Sequence, residues 1–190
     1  MTTHGARATS ESASGVEELG VDELVMELAF GVVLLDERFE VSKLRVGGAQ
    51  LGRLEGKELQ SEYFVPFEHA VEAIEAVAKL GKQIGPHLFI TEIRTIAADD
   101  LWMSPCYNQK SVTIHFTWKP ETEAVLKLLP QIEQALSPFN PRPHWGKIFT
   151  IAPKTLQSRY GKLADFKKLV AEYDPHGKFR NEFVTHNIYG

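Results

Sequence analysis

Glu92 and Arg94, His115 and Thr117, and Lys147 are the side chains whose types and spacing could do chemistry. Successive side chains of an extended run alternate faces, so Glu92 and Arg94 share one face of residues 88–96 while Ile93 points away from them. In residues 111–118, Val112, Ile114, Phe116 and Trp118 make an apolar face, which leaves His115 and Thr117 on the polar one. If the two runs pair antiparallel in suitable register, a carboxylate, a guanidinium, an imidazole and a hydroxyl meet on one patch of sheet. Lys147, in His144-Trp145-Gly146-Lys147, is the natural fifth member. Such a set can bind hydroxyls and stabilise an anion, because fixed cations favour negative charge developing on an alcohol oxygen. Glu92 would orient a neighbouring hydroxyl, and the chemistry suits polyols or sugar lactones. Taken singly, each residue has a plainer reading. A Glu-Arg neighbour pair is usually a solvated one worth about 0–1 kcal/mol, His115 between apolar residues can be a satisfied structural histidine, and Thr117 is simply a good strand former.

The elements that must position these residues are readable from periodicity. Residues 59–65 form a strand, Pro66 opens a helix with Ala70, Val71, Ile74, Val77 and Ala78 on one stripe, and Gly81 stops it. Residues 88–96 and 111–118 form a long hairpin. Pro120 opens a second helix whose buried face is Val125, Leu128, Leu129, Ile132 and Leu136, with Pro130 expected to kink or divide it. Residues 148–151 supply a final short strand. The fold class is therefore α+β: a ferredoxin-like β-α-β-β-α-β antiparallel sheet with helices on one face. The polar face then looks outward into a cleft. A C-terminal helix with Leu163, Phe166, Leu169 and Val170 ends at Asp174-Pro175-His176-Gly177, before a tail carrying Phe179, Phe183 and Tyr189 that needs something to dock onto. Upstream, residues 1–20 are expected to be a disordered tail, because little there can be buried to offset the entropy of ordering. A helix over 21–30, strands over 32–35 and 39–46 and a glycine-rich turn over 47–52 follow.

Composition narrows the function classes. The chain has 190 residues, enough to bury one core. A net charge of −4 argues against nucleic acid, which needs a concentrated basic surface. Cys106 is the single cysteine and cannot close an internal disulfide, as suits a reducing compartment. The apolar runs are too short for a transmembrane segment and the first residues carry no targeting pattern, so the expected location is cytoplasmic. Neither zinc-ligand spacing nor a GxSxG elbow, Walker A loop or GxGxxG fingerprint occurs, and metal, acyl-transfer and nucleotide-phosphate chemistry lack visible machinery. His144 and Trp145 could be a stacked structural pair.

Several strings carry more than generic strand and turn chemistry. Glu92-Ile93-Arg94-Thr95, His115-Phe116-Thr117-Trp118, Arg142-Pro143-His144-Trp145-Gly146-Lys147 and Leu59-Gln60-Ser61-Glu62-Tyr63-Phe64 stand in order, and Asp174-Pro175, Lys178-Phe179 and Asn181 close the series. From about residue 58 to 190 the chain resembles the C-terminal part of alditol oxidases. These belong with the sugar-lactone oxidases, including the D-arabinono-1,4-lactone oxidase group, in the vanillyl-alcohol-oxidase-like flavoprotein superfamily. The resemblance implies an FAD-dependent oxidase that oxidises the terminal CH-OH of a polyol or sugar lactone, with hydride passing to the flavin and electrons to oxygen. It further implies catalytic roles for Arg94 and Lys147, which would stabilise the reacting oxygen, and substrate-binding roles for Glu92, His115 and Thr117.

In that family a separate N-terminal domain binds most of FAD, and residues 1–57, without family match, are expected to be too short to replace it. The expectation is thus a substrate or cap domain, incomplete as a catalyst, with a separate flavin-binding polypeptide as a candidate partner. The alternative is a non-catalytic ferredoxin-like module that binds protein or sugar.

Overall fold

The computed structural model describes residues 58–190 and, as a short backbone strand, Leu44–Val46. Strands β1 (Leu44–Val46), β2 (Leu59–Pro66), β3 (Leu88–Ile96), β4 (Ser111–Trp118) and β5 (Arg142–Pro143) form one sheet in the order β1-β3-β4-β2-β5. β1 lies parallel to β3, and every other neighbouring pair is antiparallel. Between β2 and β3 run α1 (Ala70–Ala78) and the single turn α2 (Gly81–Ile84), and α3 (Thr122–Leu136) joins β4 to β5. β2 to β5 with α1 and α3 have the strand order of the expected ferredoxin-like unit, in which the first and third strands are central. After β5 come α4 (Pro153–Ser158), α5 (Leu163–Tyr173), the short α6 (Glu182–Val184) and a closing helical turn at Thr185–Tyr189.

Alternation makes this sheet two-faced. Tyr63 and Val65 of β2, Ile93 of β3 and Val112, Ile114, Phe116 and Trp118 of β4 enter the core against α1 and α3. Phe116 and Trp118, two residues apart on one face, stack at 5.0 Å, and the Trp118 indole N–H donates to Ser61 Oγ at 2.9 Å, so the largest buried side chain leaves no donor unpaired. Val125, Leu128, Leu129, Ile132 and Leu136 of α3 are all buried, as their spacing requires.

Several elements differ from expectation for local reasons. β2 extends through Pro66, a 3-10 turn follows at Phe67–His69, and α1 begins only at Ala70. α1 ends at Ala78 and Gly81 starts α2 instead of stopping a helix; the buried stripe is Ala70, Ala73, Ile74 and Val77, with Val71 half-buried and Ala78 exposed. α3 starts at Thr122, not Pro120, and runs undivided through Pro130, which lies on the exposed side where water can serve the carbonyl that its missing N–H would have engaged.

The fourth strand of the unit is Arg142–Pro143, not residues 148–151. Ile148 N–H still reaches Gln60 O at 2.9 Å, but Thr150 turns its amide and hydroxyl to the carboxylate of Glu133 on α3, so no ladder forms there. α5 ends as expected, the Asp174 carboxylate accepting the N–H of Lys178 at 2.7 Å and of Phe179 at 3.0 Å while Gly177 adopts φ +65°. Gly177→Ala is expected to cost about 1 kcal/mol in urea unfolding, the penalty for an L side chain in that conformation.

The aromatic tail docks only in part: Phe183 packs edge-on to Trp145 and Phe149, while Phe179 stays 80% exposed. Among the described residues no helix is long and apolar enough to cross a membrane. The expectations for residues 1–20, 21–30, 32–35 and 47–52 lie outside the described residues, as does the 39–46 strand apart from β1.

Candidate functional site

Pairing sets the site. On the face opposite the core, His115 of β4 stands directly between Glu92 of β3 and Glu62 of β2. The adjacent rung holds Arg94, Thr113 and Phe64, and the rung on the other side holds Ile90, Thr117 and Gln60. β4 is the central strand and is buried along its whole length, so His115 and Thr117 are enclosed and do not look out into an open cleft. Glu62 and Glu92 are also buried. Only the ends of the cations reach the rim, Arg94 with 38% and Lys147 with 16% of the side chain exposed.

Lys147 arrives from a tight turn after β5. His144 N–H donates to Glu62 O at 2.9 Å, Lys147 N–H closes the turn on His144 O at 3.1 Å, and Ile148 N–H returns to Gln60 O. The turn is further held by its aromatics. Trp145 donates its indole N–H to Met103 O at 2.8 Å and packs 4.9 Å from Tyr160, while His144 stacks on Phe64 at 6.3 Å. The histidine and tryptophan thus serve separate contacts and are not the stacked pair their adjacency suggested.

The charged groups form one chain. Lys147 Nζ donates to Glu62 Oε2 at 2.6 Å, Arg94 Nη1 donates to Glu62 Oε1 at 3.4 Å, and the other Arg94 amine donates to Glu92 Oε2. That same Glu92 oxygen accepts from His115 Nδ1 at 3.0 Å. With Nδ1 as donor, Nε2 carries the imidazole lone pair, and Nε2 is buried without a hydrogen-bond partner among the described residues. Arg94 and Lys147 therefore converge on one carboxylate, with an unused acceptor on the ring beside it. Thr117 shares the face one rung from His115 but takes no part in the charge chain.

Glu62 is the site residue that composition and spacing missed as a functional candidate. Its signal was available, since Glu62 alternates with the core residues Ser61, Tyr63 and Val65 and so falls on the polar face.

Burial and charge tune these groups together. Burial pushes the Glu62 carboxyl up, but the hydrogen bond and charge of Lys147, aided by His115 and His144, outweigh it and hold the carboxyl below its usual 4.5. His115 is held below its usual 6.5, first by burial and then by the Lys147 charge, against the opposing pull of Glu92 and Glu62. His144 is lowered for the same first two reasons, and its Nδ1 accepts the Gly146 N–H at 3.0 Å, a bond that needs the unprotonated nitrogen.

Both kinds of shift make acid destabilising. The unfolded chain takes up protons at these histidines that the folded chain refuses, so their contribution is full above about 6.5 and is lost as pH falls below it. The Glu62 contribution is full above about 4.5 and is lost as pH falls through the lowered folded value. The melting temperature, followed from pH 8 down to about 3, should therefore fall in two stages, and His115→Gln should flatten the first.

Two cations already matched by two carboxylates leave no spare positive charge for a dinucleotide's phosphates. The donors and acceptors of this cluster fit a polyhydroxylated ligand and do not fit the diphosphate of FAD. The described residues also hold no group of His, Cys, Asp and Glu placed to ligate a metal.

Comparison with known proteins covers the stretch of chain that holds these residues. The family model for D-arabinono-1,4-lactone oxidase matches residues 55–187. An alditol oxidase of Streptomyces sp. is 47% identical over 135 residues, which are 71% of this chain and 32% of that protein. An L-gulono-1,4-lactone dehydrogenase of Mycobacterium tuberculosis is 28% identical over 134 residues, 69% of this chain and 30% of the relative. An L-gulonolactone oxidase of Scyliorhinus torazame is 25% identical over 139 residues, 70% and 31% of the two chains. The chain thus spans about a third of the length of the curated relatives it matches. With the family model covering β2 to β5, the charge chain and the lysine turn together, this chain belongs to the D-arabinono-1,4-lactone oxidase family.

Proposed function

We propose that the chain is the substrate-binding part of an FAD-dependent oxidase acting on the terminal CH-OH of a polyol or sugar lactone. The observation that carries this is the convergence of Arg94 and Lys147 on one carboxylate beside the unpartnered Nε2 of His115. A ligand hydroxyl entering past the rim formed by Arg94 and Lys147 would donate to the enclosed Nε2, the one acceptor left on the ring, and Glu92 fixes the tautomer that makes this possible. Glu92 and Thr117 hold neighbouring hydroxyls. Arg94 and Lys147, whose full charges are matched by Glu62 and Glu92, offer their remaining N–H donors to the oxygen of the reacting carbon and stabilise the partial negative charge that develops there, an effect strengthened by the water-poor setting of the buried carboxylates around them. FAD is the redox group that family membership suggests; its phosphates find no spare charge in this cluster, and in this reading a separate flavin-binding polypeptide supplies it.

The binding claim is tested without flavin. Titrating the chain with xylitol, D-sorbitol and L-gulono-1,4-lactone while following the His115 ring nitrogens by NMR should shift Nε2, and a folded chain whose Nε2 is indifferent to saturating polyol would overturn it. The oxidase claim is tested by peroxide release from xylitol. Chain plus FAD alone should give none and a reconstituted flavin-binding partner should restore it. Robust turnover without the partner would contradict the two-polypeptide assignment.

A further inference from the structure

Glu62 contacts no ligand in the binding scheme above, yet both of its carboxylate oxygens are engaged. One carboxylate oxygen takes the Lys147 ammonium at 2.6 Å and the other takes an Arg94 amine at 3.4 Å. Its backbone carbonyl accepts the His144 N–H that begins the lysine turn. The side chain is 5% exposed, so water cannot substitute for it. Counting formal charges across the cluster, Glu62 and Glu92 balance Arg94 and Lys147, and His115 adds none while its Nε2 is unprotonated.

We propose that Glu62 is a positioning and specificity-determining residue: it holds Arg94 and Lys147 together as one pair and, by matching their charge, restricts the site to uncharged polyhydroxy ligands. This rests on the hydroxyl-binding reading of the cluster. Two cations this close would repel each other and would attract any anion of suitable size if no carboxylate stood between them. With Glu62 in place, a carboxylate or phosphate on the ligand meets an occupied partner and a like charge, which costs affinity, whereas a neutral hydroxyl meets donors already aimed. A sugar acid of the same carbon skeleton as a bound polyol is therefore refused for its charge and not for its shape.

The test titrates the full chain with xylitol, D-xylonate and sulfate. The wild-type chain should take xylitol, bind xylonate about tenfold or more weakly than xylitol, and leave sulfate unbound at Arg94 and Lys147. Glu62→Gln should tighten xylonate and sulfate by about tenfold or more, and Glu62→Asp, which restores the charge, should return the refusal. A purely structural role would not move this selectivity between charged and neutral ligands. Should Glu62→Gln fail to fold, Glu62→Ser takes its place.

Sulfate or xylonate binding to the wild-type cations as tightly as xylitol overturns the proposal, as does a folded Glu62→Gln chain that gains affinity for neither anion. If the wild-type chain ignores xylitol, the hydroxyl-binding reading fails, while the sulfate measurements still decide whether Glu62 neutralises the pair.

Discussion

Lys147→Met is expected to lower turnover of the reconstituted oxidase by about 10²–10³-fold, the usual loss when a donor aimed at a developing oxyanion is removed. The ammonium sits at the rim of an enclosed polar face, 2.6 Å from Glu62, with little solvent to replace it. Removing it also leaves the buried Glu62 carboxylate with Arg94 as its only cation among these contacts, which is expected to cost stability toward the low end of the roughly 3–5 kcal/mol seen when one partner of a buried pair is lost. The two effects separate by measurement. Urea unfolding gives the stability loss, while kcat and KM for xylitol, taken where the variant is fully folded, give the chemical one. Lys147→Arg keeps the charge in a different shape and should recover stability more than turnover. A folded Lys147→Met chain that retains wild-type kcat removes the lysine from the chemistry.

Glu133→Ala is expected to destabilise the chain by about 2–4 kcal/mol in urea unfolding, the largest effect we foresee from a residue away from the site. Glu133 is a buried carboxylate on α3 that accepts the Tyr63 hydroxyl at 2.8 Å and the Thr150 amide at 2.7 Å. Tyr63 is fully buried and its hydroxyl would lose its acceptor outright, whereas exposed Thr150 can turn to water, which is why the sum stays below that of three lost bonds. Burial first, and then the neighbouring Glu133 carboxylate, push the Tyr63 hydroxyl well above its usual 10.0, so it stays a donor throughout the accessible pH range. Glu133→Gln retains an acceptor and should cost less. Because Thr150 lies three residues beyond Lys147, Glu133→Ala should also loosen the lysine turn, seen as faster amide exchange at Lys147 and Ile148.

What the sequence makes legible follows from how far each interaction reaches. Alternation alone separates Glu92 and Arg94 from Ile93, and His115 and Thr117 from the Val112 to Trp118 face, because that period is a local property of extended chain. The ferredoxin-like order follows from the succession of strand and helix patterns. Glu62 was overlooked although its alternation with Tyr63 and Val65 was equally plain; only the pairing of β2 with β4 brings it opposite His115 and gives it meaning. Residues 148–151 read as a strand because Ile148, Phe149 and Ile151 are apolar. The competing partner that removes them from the ladder, Glu133, sits 17 residues earlier on a helix, where nothing local announces it. Enclosure of the polar face was likewise invisible, since it depends on β4 being central.

The turn that carries Lys147 is fastened at both ends to β2, by the carbonyls of Glu62 and Gln60, and the same strand bears the carboxylate that receives the lysine's charge. Acceptor and cation are thus both tied to β2, one covalently and the other through the hydrogen bonds of its turn. When the sheet bends or twists, the two move as passengers in the same carriage, and their separation is insulated from motions that would pull apart groups mounted on different strands. Arg94, mounted two strands away on β3, has no such insulation. Flexing of the sheet is therefore felt at the guanidinium and not at the ammonium, which makes Lys147 the fixed reference against which Arg94 can adjust to ligands of different length.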